Sequence, residues 1–319
     1  MKRLTAVVPT LGASPHLERC LAALRADAGD AVEVMLVAQE GSAAPLAARL
    51  PRGLVDRWVA LDDNLGFAGG TDRGISLAAT RWIATVNDDA VVEPGWTAAL
   101  LAALEADPGA GAVQGVNLRL ATPQVVDGWG LAWNRRWQAV QLGHGGPPPL
   151  LSSGDHRPAA LEVFGVSATA AIYRREALAA AALPGGAIFD PHLGSWYEDA
   201  DLANRLRAAG WRALSVPAAR ALHAGSLTGE RAGWRRWAMV HGNRHLVLAR
   251  LLGRRYGRLV GGLLLRELAA ATRAAAGGRP SAALGIAAGW ARAARRMHGY
   301  AHSGPPRLEP SEIVRWAPP

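Results

Sequence analysis

The chain has 319 residues, half of them apolar, a formal net charge of +9 and one cysteine, Cys20. This composition suits one large α/β domain, or a domain with an appendage, and excludes a disordered chain. A single cysteine excludes an internal disulfide and suits a reducing, cytoplasmic compartment. The basic residues are nearly all arginine, with Lys2 the only lysine. A basic balance favours nucleic acid, anionic lipid or phosphorylated ligands. No zinc-finger spacing, RNP-like motif or helix-turn-helix pattern is present, so no nucleic-acid partner is expected and the charge points to phosphates or a membrane surface.

The first apolar run, residues 4–8, ends at Pro9-Thr10 and reads as a buried strand rather than a targeting segment. Leu17, Leu21 and Leu24 have helical spacing. A second buried strand over 32–37 ends in Gln39-Glu40-Gly41-Ser42, and a short helix over 45–50 and a third strand over 55–61 follow. The glycine-rich stretch N-L-G-F-A-G-G, residues 64–70, reads as a turn into a helix over 71–79. A fourth strand over 81–86 stops at Asn87-Asp88-Asp89, before a helix over 94–106 and a strand over 112–118. Strands alternating with helices predict βαβ units and a parallel sheet buried on both faces.

The pattern weakens over 122–161, with a glycine and proline loop at 143–149 expected to be mobile. It resumes over 161–173, and Arg174-Arg175-Glu176 opens another helix. The acidic cluster W-Y-E-D-A-D-L follows, with a helix expected over 202–209 and a strand over 211–216; His223 is placed after the Val216-Pro217 break. Beyond Arg231, arginines interleave with Leu and Trp in a basic amphipathic helical segment, and a loosely held proline-punctuated tail is expected over 305–319. The expected units are 1–230, itself split into halves 1–121 and 122–230, and a 231–319 extension. No uncharged apolar stretch reaches about 18 residues, so no transmembrane helix is expected.

Four places carry candidate chemistry. Asp88 and Asp89 at a strand end repel each other and prefer a cation, and the carboxyl ends of parallel strands are where ligands bind; a turn with a helix N-cap is the plainer alternative. Glu198 and Asp199 follow the aromatic pair Trp196-Tyr197, whose rings would desolvate a carboxylate and raise its pKa towards that of a general base. Helix capping is the alternative there, and the one preferred for Asp201. His223 offers an imidazole to a metal or phosphate. The glycines after Asn64 let backbone approach a ligand, or simply make a tight turn.

The order of these pieces is more specific than any one of them. V-V-P-T (7–10), N-L-G-F-A-G-G (64–70), V-N-D-D-A-V-V-E-P-G-W (86–96), I-Y-R-R-E-A-L (172–178) and F-D-P-H-L-G-S-W-Y-E-D-A-D-L (189–202) together resemble the inverting family 2 glycosyltransferases of GT-A fold. The likeness is greatest to their bacterial rhamnosyltransferase-like branch. It spans about residues 4–226, and H-G-N-R (241–244) is loosely similar to the family's trailing helices.

The resemblance implies an α/β fold with a Rossmann-like, mostly parallel central sheet and a C-terminal helical extension. It implies a nucleoside-diphosphate sugar held by Pro9, Thr10, Gln39, Glu40, Asn64, Gly66, Gly69 and Asp88, and a divalent cation, Mg²⁺ or Mn²⁺, on Asp89 and His223. Asp199, with Glu198 beside it, is the implied base, and Trp196 and Tyr197 face a glycan or lipid-linked acceptor of the cell envelope. Three departures stand out. Ala38-Gln39-Glu40 replaces the family's usual aspartate, Asp72 stands where a second asparagine is expected, and Ala168 or Thr169 stands where a glycine is expected and narrows the acceptor cleft. The basic C-terminal helices fit an anionic membrane surface on the cytoplasmic face, a homodimer surface, or a cap on the domain with a solvated basic face. A nucleotidyltransferase, or a silent module that binds nucleotide sugars or glycans, are the rival classes; the first lacks a basic residue in its expected loop, T-L-G-A-S-P-H.

Overall fold

The computed structural model describes residues 2–148, 160–225, 233–302 and 308–318. Continuous apolar runs form the inner strands, and every residue of β1 (Leu4–Thr10) and β4 (Trp82–Val86) is buried. β2 (Val32–Ala38) and β4 flank β1 in parallel, and β3 (Arg57–Ala60) adds to β2. β6 (Ala110–Arg119) and β12 (Arg212–His223) are parallel to each other, with antiparallel β11 (Ala170–Arg174) between β4 and β6. The order across the sheet is β10-β12-β6-β11-β4-β1-β2-β3, where β10 spans Leu161–Val163; β5 (Ala90–Val92) pairs with β12 and β7 (Thr122–Gly128) with β6. The expected mostly parallel α/β sheet is present, with antiparallel pairing at β10, β11, β5 and β7.

The chain leaves β1 for β2 on one side and reaches β4 on the other, so the carboxyl ends of β1 and β4 meet at the switch point of the sheet, where open α/β sheets bind ligands. Leu4, Ala6 and Val8 of β1 pack with α1 (Leu17–Ala28) and α4 (Trp96–Ala106) on one face. Val7 packs with α3 (Gly66–Leu77), α5 (Arg175–Ala180) and α6 (Glu198–Ala208) on the other. The short α2 (Ala43–Arg49) follows β2.

Several local expectations change. Most of the stretch 64–70 is helix, not turn: α3 begins at Gly66. Its glycines serve close packing, since a Cβ on Gly74 would lie 2.3 Å from Val7 Cγ1. Helix α6 starts at Glu198 rather than at 202, so the acidic cluster is its first turn, where carboxylates suit the helix dipole. β12 runs through Pro217 to His223, because the register shifts between Ser215 and Arg220 and the ladder asks no donor of the proline.

The weakly patterned region after 122 is ordered as far as 148. The hairpin β8 (Leu131–Trp133) and β9 (Ala139–Gln141) is too short to show a period and is held by pairing, while β7, with its first residues exposed, is held by its ladder to β6. The Val126 backbone bonds to both Gly145 and Gly146, so the loop expected to be mobile is tied down over its described part; Pro149 lies outside the described residues. The tail, of which 308–318 are described, contains the short helix α10 (Pro310–Val314), and Ile313 is fully buried; this part is packed, not loose, because an apolar side chain anchors it.

Helices α7 (Trp234–Leu252), α8 (Tyr256–Ala276) and α9 (Pro280–His302) follow the sheet. Leu246, Val247, Leu248, Ala249, Leu251 and Leu252 share a core with Trp133, Phe164, Leu193, Ala200 and Ala203, so α7 packs against β8 and α6. Glycines let α7 and α9 touch: a Cβ on Gly289 would lie 2.9 Å from Gly242 N. Buried Glu267 of α8 joins them, accepting from His241 (2.8 Å), Arg244 (3.2 Å), His245 (3.0 Å) and Trp290. Among the described residues no helix is long and apolar enough to cross a membrane.

Candidate active site

A cavity of about 1260 Å³ opens over the carboxyl ends of β1 and β4. On its floor, Thr10 Oγ1 donates to Asp88 Oδ2 at 2.6 Å and accepts from Gly12 N at 2.9 Å. This bond welds the end of β1 to the end of β4. Burial, acting against the Thr10 hydrogen bond and helped by the Asp89 charge, pushes the Asp88 carboxyl up to about 6.

Asp89 is buried and faces His223, with Oδ1 and Nε2 3.3 Å apart. The other imidazole nitrogen, Nδ1, lies 2.8 Å from Asp127 Oδ2 on β7. Burial opposes a charged ring, but the hydrogen bonds and charges of Asp127 and Asp89 outweigh it and push His223 up to about 10. A ring so held is charged; a cation on Asp89 would displace the Nε2 proton, while Asp127 keeps the Nδ1 hydrogen and orients the ring, as metal-binding histidines are held. Asn87 Oδ1 is buried beside them with no protein partner. One carboxylate, one imidazole and a spare amide oxygen fit a divalent cation that takes its remaining ligands from phosphate and water. No group of three or more His, Cys, Asp or Glu side chains placed to hold a metal occurs among the described residues, so a cation here would depend on its substrate.

The acid pair enters from the far side of the fold. Trp196 and Tyr197 are both left-handed (φ 66° and 71°), which turns the chain sharply so that Glu198 and Asp199 start α6 at the cavity. Non-glycine residues rarely adopt this conformation, at a cost of roughly 1–2 kcal/mol each. Asp199 Oδ1 accepts from Ala200 N at 2.7 Å, and the Ser167 side chain also hydrogen-bonds to it. Burial nevertheless pushes Asp199 up to about 6. Burial and the Asp199 charge hold Glu198 well above the carboxylate range, and its Oε2 has no protein partner. The arrangement is a protonated acid beside a carboxylate that ionises near neutrality. Asp201 is structural but does not cap the helix as expected; it pairs with Arg205 (2.9 Å) and Arg250 (2.6 Å) in the interior.

Pro9, Thr10, Gln39, Asn64, Gly66, Asp88, Asp89, Trp196, Tyr197, Glu198, Asp199 and His223 all line this one cavity. Two expected contacts do not. Glu40 is exposed with φ 52°, turned away past the end of β2, and Gly69 is buried in α3, where a Cβ would lie 2.6 Å from that of Leu65. Gln39 is engaged: its Oε1 accepts from Leu65 N at 2.9 Å and its Nε2 donates to Gly66 O at 3.3 Å. The glutamine that replaces the usual acid thus caps the entry to α3. Asp72, the second departure, accepts from Ile188 N at 2.6 Å and Phe189 N at 3.2 Å, tethering the chain that leads to the acid pair. Ala168 and Thr169 both line the cavity. Asp127, Ser167 and Asn243 touch His223, Asp199 and the loop before Glu198, contacts that the sequence did not reveal because each partner is distant in the chain.

The fold and this cavity define a glycosyltransferase. Residues 2–240 match the model of the glycosyltransferase-like family 2, and the chain belongs to that family. It is 28% identical over 244 residues to the N-acetylglucosaminyl-diphospho-decaprenol L-rhamnosyltransferase of Mycobacterium tuberculosis, in both strain CDC 1551 / Oshkosh and strain H37Rv, covering 69% of this chain and 75% of that protein. Its fold is similar to that of GalNAc-T7, solved with UDP, GalNAc and Mn²⁺, at a TM-score of 0.59 and 14% identity; the match covers 81% of this chain and about half of that chain (49%).

Proposed function

We propose that this glycosyltransferase is inverting and moves a sugar from a nucleoside diphosphate to an acceptor hydroxyl with Asp199 as base. The observation that carries the reading is that Asp199, ionising near neutrality, opens into the same cavity as the Asp89–His223 pair. The acceptor oxygen forms its bond to the anomeric carbon as Asp199 takes the hydroxyl proton, and the bond to the diphosphate oxygen breaks with its electron pair leaving on the nucleotide. Asp89 and His223 would hold a Mg²⁺ or Mn²⁺ ion, which supplies positive charge to the departing diphosphate. Glu198, kept protonated, limits negative charge beside Asp199. Trp196 and Tyr197 offer ring surface to an acceptor sugar.

The mycobacterial relative transfers L-rhamnose to an N-acetylglucosaminyl-diphospho-lipid by its name. For this chain that supports a rhamnosyl donor and a lipid-linked acceptor in cell-envelope synthesis. The C-terminal helices support docking on the cytoplasmic membrane face. Leu264, Leu265 and Leu268 stand exposed on α8, with Arg258, Arg266 and Arg273 exposed beside them. Apolar side chains ringed by arginine suit an anionic lipid surface.

The test is a panel of UDP-, GDP- and dTDP-sugars with Mn²⁺, read by mass spectrometry. Release of a free nucleoside diphosphate is expected, and pyrophosphate would point to a nucleotidyltransferase instead. With the donor that is turned over, Asp199→Asn should abolish transfer and leave nucleotide binding nearly intact. Undiminished turnover by that variant removes the base assignment.

A further inference from the structure

The left-handed pair Trp196 and Tyr197 is unfavourable by itself, so something must hold it. Asn243 of α7, fully buried, reaches across with its side-chain amide. Nδ2 donates to Leu193 O at 2.8 Å, Ser195 O at 3.0 Å and Trp196 O at 2.8 Å, two hydrogens shared among three carbonyls of one loop. Its Oδ1 accepts from Arg292 of α9, and the same guanidinium donates to His192 O. The amide therefore cannot rotate, and its donors stay aimed at the loop. The loop's other edge is tied to the donor side, where Ala68 N of α3 donates to Gly194 O at 2.8 Å and Phe67 N donates to Ser195 Oγ at 3.4 Å.

We propose that Asn243, backed by Arg292, is a positioning residue that holds the backbone of residues 193–197 in its strained turn and so sets where Glu198 and Asp199 stand in the cavity. The inference rests on the reading of Asp199 as base. Its physical basis is that a strained conformation persists only where its surroundings over-determine it, and here three carbonyls of one loop share one buried donor. A carboxylate displaced by about 1 Å from its acceptor hydroxyl loses on the order of a hundredfold in rate. The C-terminal helices are thereby part of the catalytic apparatus without touching the reacting atoms.

The experiment compares full-length wild type, Asn243→Ala, Arg292→Met, Arg292→Lys and Asp199→Asn. It uses whichever sugar nucleotide of the panel above the wild type turns over fastest, with melting temperature measured alongside. Arg292 is only half-buried, so its variants keep the test valid if Asn243→Ala does not fold. Arg292→Met is expected to lower kcat at least about tenfold with donor KM within about twofold, the signature of misplacement rather than lost binding. Arg292→Lys, which keeps a cationic donor, should recover most of the loss. Wild-type kcat in Arg292→Met, equal loss in the methionine and lysine variants, or a loss matched by a rise in donor KM overturns the positioning role while an inactive Asp199→Asn leaves the base assignment standing. An active Asp199→Asn, or a wild type that turns over no donor, removes the base reading and this inference together.

Discussion

His223 Nδ1 stands 2.8 Å from Asp127 Oδ2, joining the last residue of β12 to a strand that the sequence did not predict. With that bond in place, Nε2 faces Asp89. Asp127→Asn should therefore weaken cation use without removing either proposed ligand. The Mn²⁺ concentration for half-maximal rate is expected to rise about 10- to 100-fold, the usual cost of losing such a partner. A Mn²⁺ titration of initial rate checks it, and an unchanged midpoint would show that Asp127 does not tune the ligand.

As the proposed base, Asp199 must be ionised to accept a proton. Its folded carboxyl ionises at about 6, raised by burial, so the neutral form dominates below that pH and the rate is lost there. The kcat profile should climb about tenfold per unit below pH 6 and flatten above it. Asp88 also titrates at about 6, so the wild-type limb is composite. In Asp88→Asn the acid limb should persist, and its disappearance would assign the limb to Asp88.

Gly66 begins α3 at φ 71°, and a Cβ there would lie 2.7 Å from Gly194 O. Gly66→Ala adds roughly 1–2 kcal/mol of left-handed strain and pushes on the loop that leads to Trp196. A lower melting temperature and a lower kcat are both expected. Gly69→Ala, by contrast, meets the Cβ of Leu65 and no atom of the loop 193–197, so a lower melting temperature is expected with a smaller loss of kcat than in Gly66→Ala.

Leu265 is 70% exposed and Leu268 65% exposed on the outer side of α8. Replacing Leu264, Leu265 and Leu268 together by serine should abolish flotation with phosphatidylglycerol vesicles. Turnover of a water-soluble acceptor analogue should stay at the wild-type level. Retained flotation would leave the arginines, or another face, as the attachment.

The apolar runs of β1, β2 and β4, and the motif order from Val7 to the acidic cluster, were legible in the sequence because they depend on residues adjacent in the chain. Hydrophobic runs predict buried strands, and carboxylates at strand ends predict a site, wherever the partners lie. The runs predict the α/β sheet, and the resemblance carried by the motif order implies the family and the two candidate pairs Asp89–His223 and Glu198–Asp199. What needed the tertiary structure was everything set by residues far apart. Gln39 is spent on the start of α3, not left free for a base, because the helix begins five residues earlier than its glycines suggest. Asp127 gains its meaning only when β7 folds against β6 beside His223. The acid pair owes its place to a left-handed turn at Trp196 and Tyr197 that local propensity disfavours, and which Asn243, 46 residues beyond Tyr197, holds from another helix. Local pattern determined which groups this protein has for chemistry; long-range hydrogen bonds between buried polar groups, invisible to any periodicity, decided where they stand.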